Sequence, residues 1–326
     1  MLTALKTFGN TIVTAKDSRP VQLCGVNRSG LEYSSPDAPG SLSKAGFSER
    51  ELDEVAGWGA NLLRLPFNQD WALARSSYDA EPYLLALDWI VEQAALRGIY
   101  TLLDLQWLDA VSPRGTLPNG SANFVPPLPN LESVQLWSQL AARYRNHTSV
   151  LFDIFNEPHD PLPDDMHELC GITSDGHIYQ PVCRRVGMSQ WQPWASHLIA
   201  AIRNQHPDAL IFVSGVDWGY DLLGFPLPAT ENIVYSSHVY PSKKKRWTKA
   251  FGQLSRSHPV FLGEFGGVET DLDWGERLLD YLQARHIGWA AWSWSDHPHL
   301  IKTYSNFEPT AFGALVRAAL RNHRSS

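Results

Sequence analysis

Short apolar runs recur along the chain, and segments with helical periodicity separate most of them. Strands that are apolar on both faces are typical of a parallel sheet covered on both sides. Eight such runs are present, at residues 21–27, 61–67, 99–106, 150–158, 209–216, 233–240, 259–266 and 288–296. The alternation of these strands with helices predicts an α/β fold with a parallel sheet.

The segments between the runs carry apolar residues at helical spacing, so each is expected to pack one face against the sheet. The first helix is predicted to begin after Ser48, and Glu51 three residues later completes a capping-box pattern. The other predicted helices cover residues 81–98, 131–147, 189–207, 271–286 and 309–323.

No linker rich in glycine, proline or serine divides the chain, and its composition does not shift along its length. We therefore predict a (β/α)8 TIM barrel in which residues 1–326 form a single domain. A doubly wound sheet is the alternative, but no Gly-x-Gly-x-x-Gly motif follows the first run. Two long connections, residues 107–130 and 159–187, follow strand ends on the face where barrel enzymes build their active sites.

Polar or aromatic side chains interrupt six runs near their carboxyl ends. They are Arg64, Gln106, Asn156, Glu157, His238, Tyr240, Glu264 and Trp292. Burying charge is costly unless it is paired, so a repeated pattern at this end of a barrel indicates function rather than stability. Two glutamates on different strands suit acid/base work on a glycosidic bond.

A metal site is the alternative interpretation of the same residues. Glu157, His238 and Glu264 could form a ligand set, although a metal centre usually draws on more converging ligands. We predict no metal and no cofactor.

The segments FDIFNEPHD, SSHVYP, FLGEFGG and AWSWSD occur in this order, with LLRLPF before them and PTAFG after them. In this combination they resemble glycoside hydrolase family 5, within the clan A barrels. The resemblance runs from CGVN to PTAFG, nearly the whole chain.

The resemblance implies that Glu157 is the acid/base and Glu264 the nucleophile. An apolar setting and a neighbouring carboxylate would raise the pKa of Glu157 so that it starts protonated. Arg64 would supply the positive charge that keeps Glu264 ionised for attack. Tyr240 would donate to Glu264, and His238 would orient Glu157 or contact the substrate.

The resemblance also implies substrate contacts. Asn156 would bind the sugar 2-OH. Trp292 would lie under the sugar at the cleavage site, although Trp294 has the same strand parity. Gln106 stands where family members commonly carry histidine, and it can hydrogen-bond a hydroxyl but cannot titrate. Trp107 and Trp218, the latter after Asp217, are candidates for flanking subsites or for loop packing.

Composition narrows the range of ligands. The formal net charge of −7 argues against nucleic acid, and the only basic run, residues 243–246, is interpreted as a solvated surface segment. Thirteen tryptophans suit stacking against sugar rings. Cys24 is expected to be a buried free thiol, whereas the spacing of Cys170 and Cys183 permits a disulfide without establishing it.

No apolar run reaches the ~20 residues that cross a membrane, and the first residues lack the pattern of a signal peptide. We expect a retaining endo-β-1,4-glucanase that acts as a monomer on β-glucan or a related polysaccharide. A β-mannanase or exo-acting β-glycosidase of the same mechanism is the alternative, followed by a non-catalytic carbohydrate-binding barrel. Polymeric substrates do not enter cells, so we expect secretion; a cytoplasmic protein is the alternative.

Overall fold

The computed structural model describes residues 2–33, 47–74, 79–108, 126–160, 171–172, 178–179, 185–228, 231–243, 246–267, 271–296 and 299–324. Cys170 and Cys183, with the disulfide that their spacing permits, lie outside these residues, as does most of the two long connections. Cys24 is a buried free thiol, as expected.

The strands, in chain order, are β1 (Leu5–Phe8), β2 (Thr11–Thr14), β3 (Cys24–Asn27), β4 (Leu62–Asn68), β5 (Tyr100–Trp107), β6 (Val150–Asp153), β7 (Gly171–Ile172), β8 (Ile178–Tyr179), β9 (Ile211–Ser214), β10 (Ile233–Val239), β11 (Val260–Phe265) and β12 (Gly288–Ala291). Eight of them close into a barrel in the order β3, β4, β5, β6, β9, β10, β11, β12. Every neighbouring pair in the barrel is parallel, which confirms the predicted fold class.

The main helices are α1 (Glu49–Gly57), α2 (Gln69–Ala72), α3 (Glu81–Leu96), α4 (Leu131–Tyr144), α5 (Met188–Gln205), α6 (Leu272–Gln283) and α7 (Ala311–Arg324). Short irregular helices cover Leu31–Tyr33, Thr248–Gly252 and Leu254–Arg256. None of the helices in the described ranges is both long and apolar enough to cross a bilayer.

The capping box predicted at α1 is half wrong. The Ser48 side chain accepts a hydrogen bond from the Glu51 backbone N–H at 3.2 Å, as a cap should. Glu51, however, forms a buried ion pair with Arg28 instead of reaching back to Ser48. Because the carboxylate of Glu51 is buried, pairing it with a cation stabilises the fold more than a second capping hydrogen bond at the helix end would.

Two predicted strands end five residues before their apolar runs do. β6 stops at Asp153 and β12 at Ala291, so Glu157 and Trp292 follow the strands rather than lying within them. Beyond β6 the chain still bonds to its neighbours, since the Asn156 N–H donates to the Leu105 carbonyl of β5 at 3.0 Å. Both departures occur at the carboxyl end of the barrel.

Alternate residues of each barrel strand point into the barrel. An apolar cluster fills its amino-terminal part, and the interior residues that β4, β5 and β6 contribute are Leu62, Leu102 and Leu151. Two residues later the same strands place Arg64, Asp104 and Asp153, all fully buried. The interior therefore changes from apolar to charged towards the carboxyl ends of the strands.

The antiparallel hairpin of β1 and β2 closes the apolar end of the barrel, and the sequence patterns did not indicate it. Its inward residues Leu5 and Ile12 join the same apolar cluster. The hairpin thereby covers apolar side chains of the barrel interior that would otherwise be exposed at this end. The buried polar residues lie towards the opposite end.

Candidate active site

Arg64 is the charged centre of the barrel interior. Its guanidinium donates hydrogen bonds to Asp153 Oδ2 at 2.8 Å, Asn27 Oδ1 at 2.9 Å, Glu264 Oε1 at 2.8 Å and Asn156 Oδ1 at 2.9 Å. Asp104 adds an ion pair at 2.9 Å. The neighbouring carboxyl groups raise the pKa of Arg64 despite its burial, so its positive charge is permanent. Burial raises the pKa of Asp104 and of Asp153, with Arg64 opposing both shifts.

Glu264 lies near the end of β11 and is 4% exposed. Each of its carboxylate oxygens accepts a hydrogen bond, one from Arg64 and the other from the Tyr240 hydroxyl at 2.7 Å. Burial, and then the charge of Glu264, raise the pKa of Tyr240 well above its usual value, so the phenol keeps its proton and donates. This setting suits an ionised carboxylate that is held in one orientation.

Glu157 has a different environment. Its side chain is 16% exposed, and His238 Nδ1 lies 2.8 Å from its Oε1. Burial raises the pKa of Glu157 to about 7, with Arg64 and Lys243 opposing the shift. Burial lowers the pKa of His238 to about 4. Between these two values the proton of the pair therefore resides on Glu157 rather than on the imidazole.

Two glycines allow His238 to reach this position. A Cβ at Gly219 would come within 2.8 Å of the imidazole Cγ, and one at Gly263 within 2.6 Å of Nε2. Gly219 also has a left-handed backbone with φ +69°, and its carbonyl accepts the His238 backbone N–H at 3.1 Å. The backbone thus encloses the ring from two sides.

One oxygen of Glu157, one oxygen of Glu264 and one ring nitrogen of His238 all lie within 4.8 Å of one another. The predicted alternative, a metal site, would use the same atoms. Two features disfavour it: Arg64 already contacts Glu264 at 2.8 Å, and His238 bonds Glu157 directly. A resident cation would have to displace both interactions, so the geometry favours two carboxyls acting on a substrate.

The structure distinguishes Trp292 from Trp294. Trp294 is fully buried, with its ring centroid 4.6 Å from that of Trp58, so it belongs to the core. Trp292 is half-buried at the barrel mouth. Its carbonyl oxygen would be only 2.5 Å from a Cβ on Gly266, so the glycine allows the two segments to approach. The Trp292–Ser293 peptide bond is cis. Of the two, Trp292 is the one available to a ligand.

Gln106 and Trp107 are the last two residues of β5, at the carboxyl end of the barrel, and both are half-buried. The Gln106 Oε1 atom is buried and has no hydrogen-bond partner in the described part of the chain. Direct contacts join Arg64, Asn156, Glu157, His238, Tyr240 and Glu264 into one network. Within the described ranges, Gln106 and Trp292 share the barrel mouth with this network without a hydrogen bond to it.

Trp218 is half-buried and stacks on His159, with ring centroids 3.6 Å apart and planes 12° from parallel. Its backbone N–H donates to the Pro158 carbonyl at 3.1 Å. Both Asp217 and Trp218 have left-handed backbones, with φ +57° and +60°. Trp218 therefore contacts Pro158 and His159, the two residues that follow Glu157.

The interpretation of residues 243–246 as a solvated run is wrong for Lys243. Its side chain is 19% exposed and pairs with the Asp217 carboxylate at 3.1 Å. Its Nζ also donates to the Asp217 carbonyl at 2.7 Å. Arg246 is exposed, as predicted. Lys243 departs from the prediction because the carboxylate and carbonyl of Asp217 hold it against the barrel mouth.

Within the described residues, sequence reasoning missed four side chains that contact this network, namely Asn27, Asp104, Asp153 and His159. It also missed the inward position of Lys243, which pairs with Asp217. A signal existed for the two aspartates, since each is an acid inside an apolar strand with the same inward parity as Arg64. The positions of His159 and Lys243 depend on loop contacts, which periodicity does not encode.

Comparisons with known proteins show the family to which the chain belongs. Residues 18–298 match the family model described as Cellulase (glycosyl hydrolase family 5). An endoglucanase of Paenibacillus polymyxa is 28% identical over 338 residues, covering 88% of this chain and 78% of the relative. An endoglucanase of Thermobifida fusca is 24% identical over 298 residues, covering 85% of this chain and 53% of the relative, so the chain spans about half of that protein.

Solved structures give the same fold. A β-glucanase from Saccharophagus degradans superposes with a TM-score of 0.76 at 21% identity, covering 99% of this chain and 94% of that chain. Its complex with cellotetraose superposes with a TM-score of 0.75. At this identity the match is one of architecture.

Proposed function

The chain belongs to glycosyl hydrolase family 5, the Cellulase family, and from this premise we propose that it is a retaining endo-β-1,4-glucanase. The observation that carries the proposal is the pair Glu157 and Glu264, with one oxygen of each within 4.8 Å of the other. Retaining glycosidases keep their two carboxyls about 5–5.5 Å apart, whereas inverting enzymes need about 6.5–9.5 Å to admit a water molecule. The spacing supports retention.

In the first step Glu264 attacks the anomeric carbon and Glu157 gives its proton to the departing glycosidic oxygen. The carbon–oxygen bond of the glycoside breaks as the bond to Glu264 forms. Glu264 accepts two hydrogen bonds that hold its carboxylate in one orientation, and Glu157 is protonated below about pH 7. The two environments thus give the two carboxyls different tasks.

In the second step Glu157, now ionised, takes a proton from water. The resulting hydroxide attacks the anomeric carbon and releases Glu264, which restores both groups to their starting states. The neutral imidazole of His238 keeps Glu157 in place during both steps without competing for its proton, since burial lowers the pKa of His238 to about 4.

The remaining predicted residues are assigned to substrate binding. Asn156, oriented by its hydrogen bond from Arg64, would contact the 2-OH of the sugar being cleaved. Trp292 would lie under that sugar, and the unpaired Oε1 of Gln106 would accept from a hydroxyl. Trp107 and Trp218 would contact sugars further along the chain. The cellotetraose complex of the Saccharophagus β-glucanase supports a β-glucan as the ligand.

Release of reducing sugar from soluble β-1,4-glucan, mixed-linkage β-glucan and β-mannan tests the proposal. We expect rapid release from the two glucans by the unchanged protein, with a fast fall in viscosity because cleavage is internal. Glu264→Ala and Glu157→Ala should each lose at least about a thousandfold in rate on these polymers.

Other outcomes would redirect the proposal. Activity confined to mannan would keep the mechanism and replace the substrate, and slow viscosity loss with rapid sugar release would indicate exo action. Sugar binding without turnover would support a non-catalytic barrel. Full activity in either alanine variant would refute the assignment of that glutamate.

We further propose that the protein acts as a secreted monomer, because a polymeric β-glucan does not enter cells. Sedimentation of the purified protein would test the first part of this statement, and its distribution between cells and medium would test the second.

A further inference from the structure

Residues 215–221 form a tight turn that is connected to Glu157 through two histidines, His238 and His159. Bridges pair Gly215 with Gly219 and Val216 with Asp221, so the turn is closed on itself. One route reaches the carboxyl of Glu157: the Gly219 carbonyl accepts the His238 N–H, and His238 Nδ1 bonds Glu157 Oε1 at 2.8 Å. The other route reaches the backbone of Glu157 through His159.

His159 is fully buried two residues after Glu157. Its Nδ1 lies 2.6 Å from the Glu157 carbonyl oxygen. A carbonyl can only accept, so Nδ1 carries a proton and donates it to the Glu157 carbonyl. The backbone N–H of His159 donates to the Pro127 carbonyl at 3.3 Å, which ties this segment to the chain before α4.

Trp218 covers the ring of His159 face to face, at 3.6 Å. The turn is itself clamped from the other side, because Lys243 binds both the carbonyl and the carboxylate of Asp217. Glu157, His159, Trp218, Gly219 and His238 therefore form a closed ring of contacts. The carboxyl of Glu157 and the Trp218 side chain are therefore joined through one continuous set of contacts.

We propose that His159 is a positioning residue, which sets the distance between the proton donor Glu157 and the sugar-binding face formed by Trp218. The inference rests on the proposed function, in which Trp218 contacts a sugar beyond the cleavage site. A shift of the acid by one ångström can reduce catalysis about a hundredfold. Loosening His159 should therefore impair proton donation while the nucleophile, held separately by Arg64 and Tyr240, stays in place.

Two substrates separate these effects. Cellopentaose has a sugar leaving group that needs a proton, whereas 2,4-dinitrophenyl β-cellobioside has a leaving group that departs without one. The ratio kcat/KM reports the steps up to departure of the leaving group in both cases. Active enzyme is counted by the burst of dinitrophenolate, so misfolded protein does not enter the comparison.

Two variants separate the hydrogen bond from the ring. His159→Phe keeps a flat ring against Trp218 but cannot donate to the Glu157 carbonyl, and His159→Asn keeps a donor near Nδ1 without the ring. We expect kcat/KM of His159→Phe to fall about tenfold on cellopentaose and to stay within about twofold on the aryl substrate. His159→Asn should recover part of the loss, because it restores the hydrogen bond to Glu157 but not the stacking on Trp218.

An equal fall on both substrates, no fall on cellopentaose, or a His159→Asn variant no better than His159→Phe would overturn the inference. Failure of the unchanged protein to cleave either substrate is a different result. It would refute the proposed function, and this inference with it.

Discussion

Glu157 holds the proton that the proposed reaction needs, and its surroundings set the pH range in which it does so. Burial raises its pKa to about 7, so the fraction of protonated enzyme falls as pH rises through that value. The alkaline limb of the kcat/KM profile should therefore lie near pH 7 and fall about tenfold per pH unit above it.

Lys243 lowers the pKa of Glu157, so removing its charge should move the alkaline limb to higher pH. We expect this shift in Lys243→Met. Lys16→Met, an exposed lysine after the hairpin at the opposite end of the barrel, is the matched control and should leave the limb in place. A limb that stays put in Lys243→Met, or moves to lower pH, would contradict the assignment of this limb to Glu157.

Glu157 and His238 should also have opposite effects on the pH dependence of folding. Glu157, with its pKa raised to about 7, stabilises the fold below pH 4.5, and this stabilisation is lost as pH rises towards 7. His238, with its pKa lowered to about 4, stabilises the fold above pH 6.5, and this is lost as pH falls towards 4. Between pH 4.5 and pH 6.5, the ordinary pKa values of the two groups, their contributions to stability change in opposite directions and cancel.

Glu157→Gln removes one side of this balance. Relative to the unchanged protein, the variant should lose about 2–3 kcal/mol of unfolding free energy between pH 6.5 and pH 4.5. Denaturant titrations at several pH values measure this difference. Glu54→Gln, at an exposed position on α1, should track the unchanged protein. Parallel curves for Glu157→Gln and the unchanged protein would show that the pair does not hold its proton in this way.

The sequence indicated the residues of this network wherever a charge interrupts an apolar strand. Arg64 and Glu264 stand out for that reason, and the structure brings them into contact. Parity alone could not choose between Trp292 and Trp294, because the choice depends on where β12 ends. Lys243 lies in a basic run typical of surfaces, and its contacts with Asp217 and the Tyr220 ring, which the run does not encode, hold it inward.

At the scale of elements, the loop after β9 matters most for the site. Gly219 combines a left-handed backbone with direct contact to the His238 ring. Gly219→Ala should therefore destabilise the protein and displace His238, with kcat/KM on β-glucan falling about tenfold or more.

Gly98 provides a matched control for Gly219. It has a similar φ of +74°, but nothing lies within 4 Å of a Cβ built there. Gly98→Ala should cost about 1 kcal/mol from backbone strain and leave kcat/KM unchanged. Equal activity losses in the two variants, or none in Gly219→Ala, would show that close packing against His238 is unimportant.

All eight barrel strands and the predicted helices are present, because their apolar runs and helical periods are continuous. Strand ends were harder to predict. The run that contains β6 was predicted over residues 150–158, yet the strand ends at Asp153, although the Asn156 N–H still bonds to the Leu105 carbonyl of β5. The β1–β2 hairpin was missed, because LKTF and TIVT mix polar with apolar residues and form no long apolar run.

At the scale of the whole molecule, the two ends of the barrel have separate tasks. The β1–β2 hairpin packs Leu5 into the apolar cluster at one end, and the two glutamates lie at the other. We propose that the hairpin, barrel and helices together form the single domain expected from the sequence, with the hairpin contributing stability rather than catalysis.

Leu5→Ala tests this separation. The variant should lose about 2–4 kcal/mol of unfolding free energy, because a buried leucine leaves a cavity. Its kcat/KM should stay within about twofold at a temperature where the protein remains folded. Phe8→Ala, on the same hairpin but 72% exposed, should change stability by less than about 0.5 kcal/mol. A large activity loss in Leu5→Ala under these conditions would contradict the proposal.

The central claim is that Glu264 forms a covalent bond to the sugar while Glu157 manages the proton. Incubation with 2,4-dinitrophenyl 2-deoxy-2-fluoro-β-cellobioside, followed by mass spectrometry of the digested protein, tests it most directly. The 2-fluoro group slows release of the intermediate, so one fluorocellobiosyl group should accumulate per molecule, attached to the peptide that contains Glu264. A label on Glu157, or release of dinitrophenolate with no label and a sugar product of inverted anomeric configuration, would contradict the account.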